Sequence, residues 1–166
     1  HSEGALMKAL IAQEVLAKAL ALVGRAVTTK TTLRTLECVL IEARVDDRLV
    51  LTTTDLEKAL RTEIGAAVSE PGQLTVPAAM FADYVQQLPD ATVELSSSTK
   101  PHRLDLVCGP FKAEFAGLDP VDFPPIPEVD PERALVVDAA GLKAAIALTI
   151  FAAAKDETRP VLAGVL

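Results

Sequence analysis

Hydrophobic and polar residues follow a helical spacing in some segments of the chain and a strand-like pattern in others. The change from one to the other separates the predicted elements. Lys8 to Ala12 is short and apolar, as expected of a strand, and from Gln13 the apolar residues recur at helical spacing. The recurring residues are Leu16, Ala19, Leu20 and Val23. A second helix is predicted over residues 79–88, where the same spacing relates Phe81, Val85 and Leu88.

The other stretches predicted as strands up to residue 117 are short apolar or β-branched runs, and the last three of them alternate with polar residues. They cover residues 35–43, 49–53, 60–68, 74–77, 92–96, 103–108 and 111–117. A hairpin turn is predicted at Val45 to Arg48 and a further turn at Glu70 to Gly72. Many antiparallel strands with few helices indicate an α+β fold.

A proline-rich segment follows these strands. Asp119 to Pro127 has four prolines in nine residues, so it is predicted to be an extended, stiff linker. Beyond it the pattern predicts a strand at residues 134–137, a helix at 139–154 and a strand at 160–166.

The chain also repeats itself: residues that are 126 positions apart match without a gap. The matches include Leu16 with Leu142, Ala19 with Ala145, Leu20 with Ile146, Thr32 with Thr158 and Val39 with Val165. This indicates a duplicated domain of about 126 residues whose second copy has only begun. The alternative is a chance alignment of two Leu- and Ala-rich helices.

Composition places the chain among ordinary globular domains. Half of its 166 residues are apolar, which is enough for one core, and no uncharged apolar run approaches the roughly 20 residues of a membrane span. No secretory signal is evident, and residues 1–6 are interpreted as a leader before a start at Met7.

Cys38 and Cys108 are expected to be buried free thiols in a reducing compartment. The net charge of −7 argues against a wholly basic nucleic-acid-binding surface but allows a local basic face.

Residues with catalytic chemistry are few. His102 has no Cys, Asp or Glu at metal-ligand spacing, and no glycine-rich phosphate loop is present, so neither a metal nor a cofactor is expected. Asp55 and Glu57 could form an acid–base pair of a small hydrolase. The stronger interpretation is structural, because an Asp after a Thr run tends to accept hydrogen bonds from nearby backbone N–H groups. Cys38 has no activating neighbour in the sequence and is interpreted as a core thiol rather than a nucleophile.

Several segments in the same order resemble one family, the bacterial DNA polymerase III beta subunit, or sliding clamp. They are the Met7-Lys8 start, Thr52 to Glu57, Leu74 to Pro77, Leu88-Pro89 and Asp122 to Pro124. The resemblance implies an α+β clamp fold with two helices packed on antiparallel sheets, followed by an incomplete second copy. It divides the chain into a leader (residues 1–6), a first clamp domain (7–127) and a strand–helix–strand start of the second domain (128–166).

The resemblance also implies a function. The family forms a homodimeric ring of six domains around duplex DNA and holds the replicative polymerase there. It is non-catalytic, needs no cofactor or metal, and contacts phosphates without reading bases. The resemblance further implies DNA polymerase III and the clamp loader as partners and a cytoplasmic location. It implies no membrane partner. Ring closure is not expected for a chain of this length, and an alternative is a non-catalytic interaction scaffold, natural or engineered, that does not encircle DNA.

The site residues follow from the resemblance and from helix faces. Those expected at DNA are Lys30, Lys155 and Arg159, with Lys18 and Arg25 added from the first helix. Those expected at the dimer edge are Phe111, Ala113 and Phe115, where Ala113 is smaller than is usual in the family. Of the family's partner-peptide pocket only Leu162 and Pro160 are present, so weak peptide binding is expected. Arg34 replaces the family's usual Pro, which puts the geometry of that turn in question.

Overall fold

The computed structural model describes residues 7–29, 31–99, 102–127, 130, 132, 135–154 and 160–165. The chain divides into two compact units, residues 1–126 and 127–166. The first unit contains nine strands and two α-helices among its described residues. The strands are β1 Lys8–Ala12, β2 Cys38–Arg44, β3 Arg48–Thr54, β4 Ala59–Gly65, β5 Ala67–Glu70, β6 Gly72–Pro77, β7 Thr92–Thr99, β8 His102–Cys108 and β9 Phe111–Ala116. The helices are α1 Gln13–Val23 and α2 Ala78–Gln87.

The strands of the first unit form two antiparallel sheets. One sheet has the order β5-β1-β7-β8-β9 and the other β4-β3-β2-β6. The order β1-α1-β2-β3-β4 recurs as β6-α2-β7-β8-β9, and each half places its first strand in the sheet of the other half. In consequence β4 and β9 occupy equivalent positions, each at one edge of its sheet.

The core of the first unit lies between the sheets and the two helices. The stripe predicted for α1 is buried, with Leu16 and Leu20 at most 2% exposed, and Phe81 and Val85 of α2 are fully buried. The helices pack against each other, and α1 also packs on β3 and β4. The predicted α+β fold, with two helices on antiparallel sheets, is confirmed.

The chain directly after β9 contacts the other sheet. Leu118 N donates to Thr75 O at 2.8 Å, and a Cβ on Gly117 would lie 3.0 Å from that same oxygen. Glycine at 117 therefore permits this contact between the end of one sheet and β6 of the other.

Two strands predicted for the first unit need correction. Residues 60–68 are two strands, β4 and β5, in different sheets, and Asp47 holds the crossover by accepting hydrogen bonds from Ala66 N and Val68 N. Alternation continues through this switch, so the pattern conceals it. The strand predicted from residue 35 starts at Cys38, because its partner β6 ends opposite that residue, at Pro77. Arg34–Glu37 is a 3-10 turn.

The segment predicted to be an extended linker contains one short helical turn. Pro120–Asp122 is a 3-10 turn whose N-cap, Asp119, accepts a hydrogen bond from Val121 N, and Phe123 beyond it is only 7% exposed. Residues 124–127 have no regular secondary structure, as predicted.

Among its described residues the second unit has one α-helix, α3 Ala139–Thr149, followed by 3-10 turns at Ile150–Ala152 and Pro160–Ala163. The predicted helix over 139–154 is thus shorter, and the strands predicted at 134–137 and 160–166 are wrong wherever the structure describes them. A strand needs hydrogen bonds from a neighbour, and no described segment pairs with either one. No described residue of α3 is buried.

Candidate functional site

The outward face of α1 has two opposite charges that compensate each other. Lys18 forms an ion pair with Glu14 one turn earlier, and the side chains are 75% and 62% exposed. The hydrogen bond from Lys18 lowers the pKa of Glu14, and the Coulombic attraction acts in the same direction. The positive charge of Lys18 is therefore partly balanced on its own helix.

The rest of the helical layer adds little positive charge. Arg25 is exposed in the 3-10 turn Gly24–Ala26 that follows α1. α2 has no Lys or Arg, and its one charged residue is Asp83. Lys30, Lys155 and Arg159, the other cations expected at DNA, lie outside the described residues.

Two buried polar side chains hold this layer in place, and the sequence pattern did not identify either. Gln13 Nε2 donates to Val85 O at 2.7 Å and so ties the start of α1 to α2. Thr53 Oγ1 donates to Val23 O at 2.5 Å and so ties the end of α1 to β3. Thr53 is fully buried, and it positions the turn that presents Arg25. The Thr run was visible in the sequence, but its hydrogen-bond partner 30 residues away was not.

Asp55 has a structural role, as its position after the Thr run predicted. Its Oδ1 accepts hydrogen bonds from Glu57 N and Lys58 N, and its Oδ2 lies 2.9 Å from Lys58 Nζ. The hydrogen bonds from Lys58 lower the pKa of Asp55 to about 2. A carboxylate that stays ionised and bonded in this way shapes the turn, in which Leu56 adopts a φ of 76°. It lacks the pKa near neutrality that suits a general acid or base.

The three residues expected at the dimer edge differ in exposure. β9, at the edge of the five-stranded sheet, presents Phe111 47% exposed and Ala113 half-buried. Phe115 is 4% exposed, and its ring makes edge-to-face contacts with Phe81 and Tyr84, at centroid distances of 5.3 and 5.7 Å. Phe115 therefore belongs to the core of its own domain, and only Phe111 and Ala113 are accessible to a partner.

In the second unit Leu162 lies in the last 3-10 turn and is 53% exposed. Its carbonyl oxygen accepts a hydrogen bond from Ala154 N at 2.8 Å. Pro160 starts the same turn, but its side chain lies outside the described residues.

Other kinds of site are not apparent in the described part of the chain. His102 Nε2 lies 3.6 Å from Asp119 Oδ2, and the described residues include no group of three or more potential metal ligands. Cys38 and Cys108 are buried and free, as predicted, and burial raises the pKa of Cys38 to about 11. None of the helices in the described ranges is long and apolar enough to cross a membrane.

Comparison with known proteins identifies the family. Residues 7–127 match the family model of the DNA polymerase III beta subunit, N-terminal domain. The beta sliding clamp of Synechocystis sp. is 34% identical over 165 residues, which cover 96% of this chain and 42% of that protein. That of Staphylococcus aureus is 33% identical over 149 residues, which cover 85% and 39%.

Solved structures agree with this assignment. The Caulobacter crescentus beta sliding clamp superposes with a TM-score of 0.86 at 34% identity, covering 93% of this chain and 41% of that one. The Bacillus subtilis DNA polymerase sliding clamp also gives 0.86, at 28% identity. The chain spans about two fifths of the length of the relatives it matches. It belongs to the DNA polymerase III beta subunit family, the bacterial sliding clamps, and contains the N-terminal domain of that family.

Proposed function

We propose that this chain supplies the first domain, and the start of the second, of a non-catalytic clamp that encircles duplex DNA and keeps DNA polymerase III on it. The family match over residues 7–127 carries this proposal. The TM-score of 0.86 to a solved clamp supports it, since the superposition covers 93% of the chain. Domains at 7–127 and 128–166, a cytoplasmic location and the clamp loader as a partner belong to the same proposal.

The proposed DNA contact is electrostatic and independent of base sequence. Lys30, Lys155, Arg159, Arg25 and Lys18 are the proposed phosphate contacts. Lys18 is expected to contribute least, because Glu14 already balances its charge. Arg25 and Lys30 then supply most of the attraction from the first domain, while α2 supplies none.

The proposed assembly uses the edge strand β9. Phe111 and Ala113 would contact a neighbouring domain, while Phe115 supports the strand from the core. Leu162 and Pro160 make only a small part of a peptide pocket, so polymerase peptides are expected to bind this chain weakly.

The DNA contact is tested by measuring how salt changes binding to a 30-base-pair duplex, by fluorescence anisotropy. Each lost phosphate contact should reduce the slope of log K against log salt by about 0.9. Lys30→Ala and Arg25→Ala should each have this effect, and Lys18→Ala should have less. Arg48→Ala, at the hairpin end of β3, is the matched control and should leave the slope unchanged. Binding that is absent, or that responds to neither Lys30→Ala nor Arg25→Ala, would favour the scaffold that does not encircle DNA.

A further inference from the structure

A cavity of the first unit lies where the loop between α1 and β2 meets the Asp55 turn (residues 55–58). Its volume is about 380 Å³, and its lining comes from these two segments. The loop contributes Thr28, Thr31, Thr32, Leu33 and Leu36, and the turn contributes Asp55, Leu56 and Glu57. Neither the proposed DNA contacts nor the proposed dimer edge uses any of these residues.

Leu56, in the wall of this cavity, has a backbone conformation that folding alone does not explain. Its φ of 76° lies in the left-handed region, which a leucine adopts only at a cost in free energy. Glycine or asparagine would adopt this conformation more readily. Leu56 is also outside the hydrophobic core of the first unit, so its side chain adds no core contact in return.

The hydrogen bonds around Leu56 fix this conformation. Thr54 Oγ1 accepts a hydrogen bond from Leu56 N at 3.0 Å and donates one to Lys58 O at 2.9 Å. Asp55 Oδ1 accepts hydrogen bonds from Glu57 N and Lys58 N. Thr54 is the last residue of β3 and is only 3% exposed, so the network is anchored in the sheet. Strained residues that are held in this way cluster at binding sites, which makes Leu56 a candidate ligand contact.

The polar groups of the turn favour an occupant with positive charge. The N–H groups of Leu56, Glu57 and Lys58 already donate to side chains within the turn. Lys58 also forms an ion pair with Asp55, which leaves the carboxylate of Glu57 as the charge that the turn offers to a ligand. Among the described residues that line the cavity, two are acidic and none is basic.

The remaining walls indicate the size and polarity of the occupant. Leu33, like Leu56, is outside the hydrophobic core, so the two leucines can contact an apolar side chain beside the Glu57 carboxylate. A volume of about 380 Å³ is at the small end of the roughly 300–1,000 Å³ of ligand pockets. It therefore suits two or three residues of an extended peptide rather than a folded domain.

We propose that this cavity binds a short peptide segment of a partner protein, with a leucine-sized side chain against Leu33 and Leu56 and a neighbouring arginine or lysine paired with Glu57. The strained Leu56 is retained because the fixed turn presents its side chain to the peptide. The site uses none of the cations expected at DNA, so peptide binding and DNA binding can be measured separately.

An NMR titration of the isotope-labelled 166-residue chain with an acetylated and amidated Gly-Leu-Arg-Gly peptide tests the proposal. Affinity in the millimolar range is expected for a contact of this size, with shifts concentrated in residues 31–36 and 54–58. Leu56→Asn should weaken binding by about fivefold, because it removes apolar contact area. Its melting temperature should not fall, because asparagine tolerates the left-handed conformation.

The charge of the site is tested by a double-mutant cycle. Glu57→Gln should weaken binding of the Gly-Leu-Arg-Gly peptide by about threefold, as expected for an exposed ion pair. A Gly-Leu-Gln-Gly peptide should bind wild type and Glu57→Gln equally, because it has no charge to lose.

Val45→Asn is the matched control, since Val45 is an exposed apolar residue in the turn at the opposite end of β3. It should leave peptide binding unchanged. Absence of binding at millimolar peptide, or binding that neither Leu56→Asn nor Glu57→Gln weakens, would overturn the proposal. A sharp fall in the melting temperature of Leu56→Asn would show that Leu56 is retained for folding, and would overturn it too.

Discussion

α1 and α3 lie 126 residues apart and have the same local structure but different surroundings. Gln13–Val23 and Ala139–Thr149 are both 11 residues long, and each continues into a three-residue 3-10 turn. Equivalent hydrogen bonds follow the two helices: Thr28 N donates to Leu36 O in the first unit, and Ala154 N donates to Leu162 O in the second. Four-residue 3-10 turns at Arg34–Glu37 and Pro160–Ala163 complete the correspondence.

The two copies differ in the burial of the helix and in strand pairing, both of which depend on distant residues. Five residues of α1 are buried, whereas none of the described residues of α3 is. β1 precedes α1, but the described residues at the corresponding place before α3 form no strand. Helices and tight turns satisfy their hydrogen bonds locally, and strands and buried faces require partners. The repeat therefore specifies local geometry in both copies, and packing is seen in only one.

The sharpest test compares the same substitution in the two copies. Leu16 is fully buried and its equivalent Leu142 is 48% exposed. Leu16→Ala should reduce the free energy of unfolding of the first unit by about 2–5 kcal/mol, because it leaves a cavity in the core. Leu142→Ala should change it by less than about 0.5 kcal/mol. Urea denaturation monitored by circular dichroism measures both, and equal losses would contradict the contrast between the helices.

A second test concerns how α3 is held without a core contact. Its N-cap Asp138 accepts a hydrogen bond from Gly141 N at 2.6 Å, whereas α1 has Ala12 at the equivalent position and no side-chain cap. Asp138→Ala should destabilise α3 by about 1 kcal/mol, and Asp138→Asn, which can still cap, should change it little. Amide hydrogen exchange should show faster exchange in α3 with no change in α1. Protection of α3 as strong as that of α1 in the monomer would mean that α3 has a packing partner.

The smallest effect is expected at the Asp55 turn of the first unit. The pKa of Asp55 is about 2 in the folded chain against its ordinary value of 3.8, so the unfolded state binds the proton more readily. The stability contributed by this carboxylate is complete above about pH 5 and is lost as the pH falls through 2. Asp55→Asn should make stability depend less on pH in that window, with the difference from wild type smallest at pH 2. Chemical denaturation at pH 5, 4, 3 and 2 measures it, and parallel curves would show that Asp55 does not contribute.

The helices and hairpins were predictable because their signals are local. The boundaries of α1 and β1 and the buried stripe of Leu16, Ala19, Leu20 and Val23 follow from periodicity alone. The switch from β4 to β5 was not predictable, since the alternation continues across it and only the carbonyl and carboxylate of Asp47 mark the crossover. The strands predicted around α3 were wrong where described, because a short apolar run forms a strand only if a partner strand exists.

The residues of the proposed DNA and dimer surfaces also fall into two groups: those that the sequence identifies, and those whose role depends on distant contacts. Lys18, Arg25 and Phe111 could be named from the resemblance and from helix and strand faces. The ion pair between Glu14 and Lys18 could be expected from their spacing of four residues. The packing of Phe115 into the core against Phe81 and Tyr84 could not be expected from the sequence. The position of Thr53 beneath the end of α1 also depends on contacts between distant segments.

The sequence by itself determined the α+β class, the repeat at 126 residues, the helix faces, the turn at Asp55 and the family. These features depend on residue types a few positions apart or on an ordered set of short segments. Only the tertiary structure decided which strands share a sheet, which strands lie at its edges and which side chains of β9 are accessible. Those features depend on pairing and burial between residues distant in the chain, and a linear pattern of polar and apolar positions does not record them.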